Sequence, residues 1–172
     1  RTGSPTYNWI CYHNSFASNQ VVELNTTTGV QNNGGAYNIA TLSSTVFGLK
    51  TGSDTNGNGN LQVAYLFATC AGVSKVGSYT GNGSSQTINC GFTGGARFVM
   101  VKATSTTGNW IVADSARGIV AGNDPALYLN STAAEVTGLD WIDADNSGFI
   151  VNETATIAAN TNGVSYIFFA VA

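Results

Sequence analysis

Asn109-Trp110-Ile111-Val112 and Asn8-Trp9-Ile10-Cys11 are one four-residue phrase written twice, and the spacing of the residues downstream of each decides the fold. The later phrase opens a segment that closes in Tyr166-Ile167-Phe168-Phe169-Ala170, and the earlier one a segment that closes in Tyr65-Leu66-Phe67-Ala68. Trp110 lies 101 positions after Trp9, and Tyr166 lies after Tyr65, and Phe168 after Phe67, by the same 101. Between these anchors Leu129-Asn130-Ser131-Thr132 answers Leu24-Asn25-Thr26-Thr27 at 105 positions, and Phe149-Ile150-Val151 answers Phe47-Gly48-Leu49 at 102, so short loop insertions absorb the drift. A chain of three Trp that places two of them in matching frames carries an internal repeat.

The repeat sets Arg1 opposite Lys102. Ahead of that point the second copy has a further apolar run, Gly77-Ser78-Tyr79-Thr80 through Arg97-Phe98-Val99-Met100-Val101, with no counterpart in the first. The expected organisation is therefore residues 1–71 as the C-terminal part of a first module and residues 76–172 as a complete second one, the whole being a piece of a longer polypeptide. A first module lacking the counterparts of the Tyr79, Ile88 and Val99 strands would leave apolar faces uncovered and backbone groups unpaired. Each such buried group costs about 1–3 kcal/mol, against a total stability of only about 5–15 kcal/mol. Completion from outside this segment is the favoured solution, by upstream chain or a neighbouring copy. The alternative is that both copies share one sandwich, the first covering the second.

Composition narrows the class. Of 172 residues 43% are hydrophobic and only 9% charged, well below the roughly 25% of an average soluble domain, so Asn, Ser, Thr and 21 Gly must carry the polar surface. The profile resembles extracellular β proteins, fibres and viral coat components, and its aromatic content of 10% can build a core. The net charge of −3 arises from few charges and no Lys/Arg cluster, which argues against nucleic acid as a partner. No apolar run reaches the roughly 20 residues of a membrane helix, so membrane insertion is not expected. Cys11, Cys70 and Cys90 lack metal-site spacing and are expected as buried free thiols, with a Cys70–Cys90 bridge as the lesser alternative.

Short β-branched and aromatic runs separated by Gly/Asn/Asp/Ser turns recur along the chain. Strands are expected at 7–13, 20–25, 45–50 and 62–68, the last apolar on both faces and hence central. In the second copy the expected strands begin at Gly77 and continue at 86–92, 97–102, 109–114, 127–129, 149–152 and 164–171, with turns at Gly81-Asn82-Gly83 and Asp145-Asn146-Ser147-Gly148. No window sustains an amphipathic helix of three turns, and only residues 130–136 could hold a single one. The fold class is all-β, an antiparallel β-sandwich of jelly-roll-like kind in two tandem related modules, the first truncated.

Tyr79-Thr80-Gly81-Asn82-Gly83, Gly91-Phe92, Phe98-Val99-Met100-Val101-Lys102, Gly108-Asn109-Trp110-Ile111, Asp114-Ser115-Ala116-Arg117, Ser147-Gly148-Phe149 and Tyr166-Ile167-Phe168 together resemble the tandem β modules of bacteriophage tail-fibre and other virion structural proteins, those of marine phages and cyanophages included. Gly94-Gly95 stands where such modules often have a Pro. The resemblance implies a virion structural protein, a tail fibre or surface appendage used in assembly and host attachment, located on the extracellular particle. It implies no catalytic residues and no cofactor. Its expected partners are further copies of itself, with a trimer preferred, other virion proteins, and host cell-surface glycan.

The chemistry-bearing residues are few. Asp143-x-Asp145-x-Ser147-Gly148 and Asp54-x-Asn56-x-Asn58-Gly59 open like calcium loops, but Thr154 and Tyr65 stand where the closing Glu belongs, so turn chemistry is favoured. A looser calcium site at Asp140, Asp143 and Asp145 stays open. His13 is the single His and is expected at the surface or at a strand end, without the partners of a catalytic set. Asp114 and Arg117 suit an ion pair pinning a loop. Trp9 and Trp110 hold equivalent positions and are expected to be buried alike, whereas Trp141 has no counterpart and is the candidate exposed platform for sugar. Asn25, Asn82, Asn130 and Asn152 lie in N-x-Ser/Thr sequons, which so Asn- and Thr-rich a chain contains by chance. The function classes are thus a virion structural protein, a lectin-like carbohydrate-binding module, and, third, a tailspike-type glycan-cleaving enzyme.

Overall fold

The computed structural model describes residues 7–32, 39–154 and 157–172. Among them lie thirteen strands and one short helix. In the first copy they are β1 (Ile10–Cys11), β2 (Gln20–Glu23), β3 (Gln31–Asn32), β4 (Ile39–Leu42), β5 (Phe47–Leu49) and α1 (Ser53–Asn56). The second copy holds β6 (Ser74–Thr80), β7 (Gln86–Asn89), β8 (Phe98–Ala103), β9 (Trp110–Asp114), β10 (Leu127–Tyr128), β11 (Ile142–Asp145), β12 (Gly148–Val151) and β13 (Ser165–Val171). Every ladder is antiparallel, as expected where connections are short. No helix among the described residues is long and apolar enough to cross a membrane.

The second copy is the sandwich. A five-stranded sheet of order β10-β9-β8-β13-β6 faces a three-stranded sheet of order β11-β12-β7. Period-two alternation assigns the faces: Val99, Val101 and Ala103 of β8, Ile111 and Ala113 of β9, and Tyr166, Phe168 and Ala170 of β13 point into one core. There they meet Ile88, Ile142, Phe149 and Val151 of the smaller sheet, with Phe149 edge-on to Phe168 at 5.4 Å between ring centroids. The loops are held by side chains. Asn160, fully buried, donates to the carbonyls of Val151 (3.1 Å) and Ser84 and accepts from the Asn82 backbone N–H at 3.0 Å. Tyr79 and Tyr166 stack at 4.9 Å and donate their hydroxyls to the carbonyls of Ala159 and Ala158.

The repeat is written in hydrogen bonds as well as letters. Asn25 Oδ1 accepts the Trp9 N–H at 2.8 Å while Asn25 Nδ2 donates to Asn8 Oδ1; at the shifted positions Asn130 Oδ1 accepts the Trp110 N–H at 2.7 Å and Asn130 Nδ2 donates to Asn109 Oδ1. Leu24 N–H to Trp9 O recurs as Leu129 N–H to Trp110 O, and Thr26 N–H to Glu23 O as Ser131 N–H to Tyr128 O. The register agrees too: Cys11 faces Val22 across β1–β2 as Val112 faces Leu127 across β9–β10. Aligning the two copies pairs these residues without revealing the asparagine clasp that fixes each hairpin.

The outer face of the five-stranded sheet carries Met100, Lys102, Trp110 and Ile167, and the first copy lies on it. Phe16 and Val22 form a second core with Trp110 and Ile167, edged by Cys11, Tyr12, Leu24, Val30 and Met100. The Trp110 indole N–H donates to Glu23 O at 2.9 Å, Lys102 Nζ reaches Thr27 O at 3.0 Å, and the Val30 N–H donates to Thr104 O at 2.8 Å. The first copy thus covers the second, as in the less favoured sequence expectation, but the two do not share one sandwich, because both facing sheets come from the second copy.

Several expectations need correction. Trp9 is 49% exposed while Trp110 is 4% exposed, because Phe16 and Val22 cover the second ring and no described residue covers the first in that way. Residues 62–68, expected as a central strand, are in no strand. The strands at 31–32 and 39–42 have no mark in the sequence pattern, and the one helix among the described residues sits at Ser53–Asn56, while 130–136 forms none. The three cysteines are free as expected, with Cys90 buried and Cys11 half-buried, but Cys70 is exposed. Arg1 lies outside the described residues.

Candidate docking surface

The apolar surface of this molecule is one-sided. Of the exposed large apolar side chains among the described residues, all but Val120 and Leu129 fall between Tyr7 and Val73. Their centre is residues 61–67. Tyr65 is 70% exposed where its counterpart Tyr166 is 1%, Leu66 is 72% where Ile167 is 6%, and Phe67 is 59% where Phe168 is 5%. The letters match; the neighbours differ. β13 is paired along its length to β6 on one side and β8 on the other, whereas among the described residues no backbone hydrogen bond joins 62–67 to another segment.

Among the described residues, hydrogen bonds to the following strand hold the segment at its C-terminal end. Ser74 Oγ donates to Ala68 O at 2.7 Å, and Thr69 Oγ1 accepts the Val76 N–H at 3.1 Å. Phe67 meets Phe169 on the outer sheet face at 4.8 Å, and Tyr65 lies 6.3 Å from Trp9 at a tilt of 34°. Trp9, Tyr65, Leu66 and Phe67 thus form an open, largely aromatic strip on backbone that makes no hydrogen bond to another segment among the described residues. Such a strip can do two things: extend a sheet through its N–H and C=O groups, or stack flat apolar ligands.

The remaining candidates fall elsewhere. Trp141 is fully buried in the sandwich core, a correction to its expected exposure; it directly precedes β11 and its ring packs inward, without a hydrogen-bond partner for Nε1 among the described residues. His13 is also buried rather than at the surface. Its Nδ1 sits 2.7 Å from Ser15 Oγ, and burial lowers its pKa below the ordinary 6.5, with the Gly77 backbone opposing in part. Lys102 is buried with no ion-pair partner among the described residues; Nζ donates to Thr27 O and to Gly108 O at 2.6 Å, and desolvation brings its pKa down to about 8. Burial raises the thiols of Cys11 and Cys90 to about 11, away from reactivity.

The acidic residues form no cage. Asn152 Nδ2 bridges Asp140 Oδ1 (2.8 Å) and Asp143 Oδ2 (2.7 Å), so an amide occupies the position a cation would need, and Asp145 caps the turn by accepting from Ser147 N–H and Oγ. Among the described residues no three His, Cys, Asp or Glu side chains converge on a metal-sized site. Asp124, which no sequence motif singles out, is buried below this group and accepts from the Val120 and Ile142 N–H groups; desolvation raises its pKa to about 6. Arg117 pairs with Asp114 as expected and also reaches Glu135 at 3.4 Å. All four sequon asparagines use their side chains within the fold.

Neither a curated protein nor a solved structure matches the chain. One family does, and over its full length: spanning residues 1–172, the chain belongs to the family described as a domain of unknown function, DUF7483.

Proposed function

We propose that this chain is a repeat unit of a bacteriophage virion structural protein, a tail fibre or surface appendage, working through assembly and host attachment rather than catalysis. The observation that carries the reading is the use of one repeat to cover the next, with apolar surface left exposed chiefly on the first copy. Repeats that bury each other's faces build arrays, and an exposed apolar strip on an already folded unit is an assembly surface. The low charge and the resemblance of the Tyr79, Phe98 and Trp110 stretches to tail-fibre modules support the same reading. Self-association and contact with other virion proteins go with it, on the extracellular face of the particle. An antibody against residues 74–172, applied to particles purified from cultures that make this protein, should label tails or fibres; labelling confined to cells and absent from particles would contradict it.

A second reading, lectin-like recognition of host glycan, is favoured by the exposed pair Trp9 and Tyr65 rather than by Trp141. Binding on a glycan array that Trp9→Ala abolishes and Trp141→Phe leaves intact would select it.

A further inference from the structure

We infer that residues 62–67 are an acceptor for β-strand addition, and that the occupant is a pair of strands with the sequence pattern of β6 and β8, belonging to a further repeat unit. The inference stands independently of the phage reading, because it rests on the comparison of two copies within one chain. In the second copy β6 and β8 flank Tyr166, Ile167 and Phe168, in the registers Tyr166 with Tyr79 and Ala103 and Phe168 with Gly77 and Val101, so that Tyr166 and Phe168 are held into the sandwich core while Ile167 faces the covering first copy. In the first copy Tyr65, Leu66 and Phe67 hold the same places and are exposed, and among the described residues no strand flanks them. What covers the equivalent strand is therefore visible in the same molecule. The small residue of β6 is part of the fit: a Cβ at Gly77 would run into the Phe168 ring, so the partner strand needs Gly where it crosses Phe67.

A second molecule of this chain is a poor occupant. Its β8 is paired on both sides, to β9 and β13, and supplying it in trans would open one sandwich to close another. The same comparison limits the inference to the two flanking strands. β12 admits β7 because Gly148 leaves room for the Ile88 carbonyl, whereas Val46 stands at the place of Gly148 in the first copy.

The alignment of Arg1 with Lys102 supplies the test. A second copy of residues 74–101 is joined directly ahead of Arg1, with Val46→Gly to clear the third strand, and amide hydrogen exchange is compared with that of the 172-residue chain. Exchange at 62–67 should slow by at least on the order of 100-fold in a species that light scattering shows to be monomeric. Tyr65→Lys, whose counterpart Tyr166 points into the sandwich core, should reverse that protection in the extended chain while leaving the melting temperature of the 172-residue chain unchanged. Unchanged exchange at 62–67 in the extended chain would overturn the inference. So would a 172-residue chain that already protects 62–67 by dimerising, which would assign the surface to a second copy. If the extended chain precipitates, the peptide 74–103 added to the 172-residue chain gives the same readout, with slowed exchange supporting the inference and unaltered exchange ending it.

Discussion

The two asparagine clasps make the same bonds in unequal surroundings, which separates what a residue is from what it contributes. Asn130 serves a Trp110 N–H next to a covered ring; Asn25 serves the Trp9 N–H at an exposed one. Asn130→Ala should cost about 1–3 kcal/mol, the range for stranding a partly buried donor, and Asn25→Ala about 0.5 kcal/mol, as read from urea midpoints. Two buried bases set opposite ends of the pH profile. Because His13 has a lowered folded pKa, the folded state resists its protonation: the stability is present above pH 6.5 and lost as pH falls through the folded value, so His13→Phe should flatten the acid limb of the unfolding profile. Lys102 obeys the same sign at higher pH. Between about 8 and 10.5 the unfolded chain binds a proton that the folded one does not, so stability gains with pH there, and the gain should vanish in Lys102→Met when the two profiles are subtracted. The subtraction matters because Cys11, Cys90 and Tyr79, whose folded pKa values are raised, pull stability down over the same range.

At the scale of elements, the contrast between Trp9 and Trp110 gives the sharpest expectation. Trp110→Ala removes a ring packed against Phe16, Val22 and Ile167 and should cost about 3–5 kcal/mol, while Trp9→Ala should stay within about 0.5 kcal/mol, by calorimetry on the same chain. The same contrast marks what was legible in the sequence. Period-two patterning and Gly/Asn turns place seven of the eight strands of the second copy to within a few residues, since those strands have their partners in the chain, but miss β11, whose Ile142-Asp143-Ala144-Asp145 reads as the approach to a turn. Gln62-Val63-Ala64-Tyr65-Leu66-Phe67 has the same pattern as β13 and is no strand, because strand identity depends on flanking backbone that letters do not report. Trp141 misleads in the opposite direction: the lack of a repeat counterpart suggests a surface role, although burial depends on where β11 sits over the core. The docking surface is legible as a deficit of strands, but its aromatic membership is not, since the repeat position of Trp9 assigns it to a core.

The whole molecule is then one sandwich, residues 74–172, wearing the first copy as the cover of its outer sheet. Its apolar exposure is concentrated on that cover, where a charge-poor surface offers little repulsion to a partner. The central claim is that two stretches of near-identical pattern, 62–67 and 165–171, have opposite structural standing. Residue-resolved amide hydrogen exchange on the dilute 172-residue chain tests it most directly. Protection should be strongest through 98–103 and 165–171 and extend to the hairpin at 9–24, while amides 62–67 exchange near the rate of an open chain. Equal, strong protection of 62–67 and 165–171 in a monomer would contradict the account.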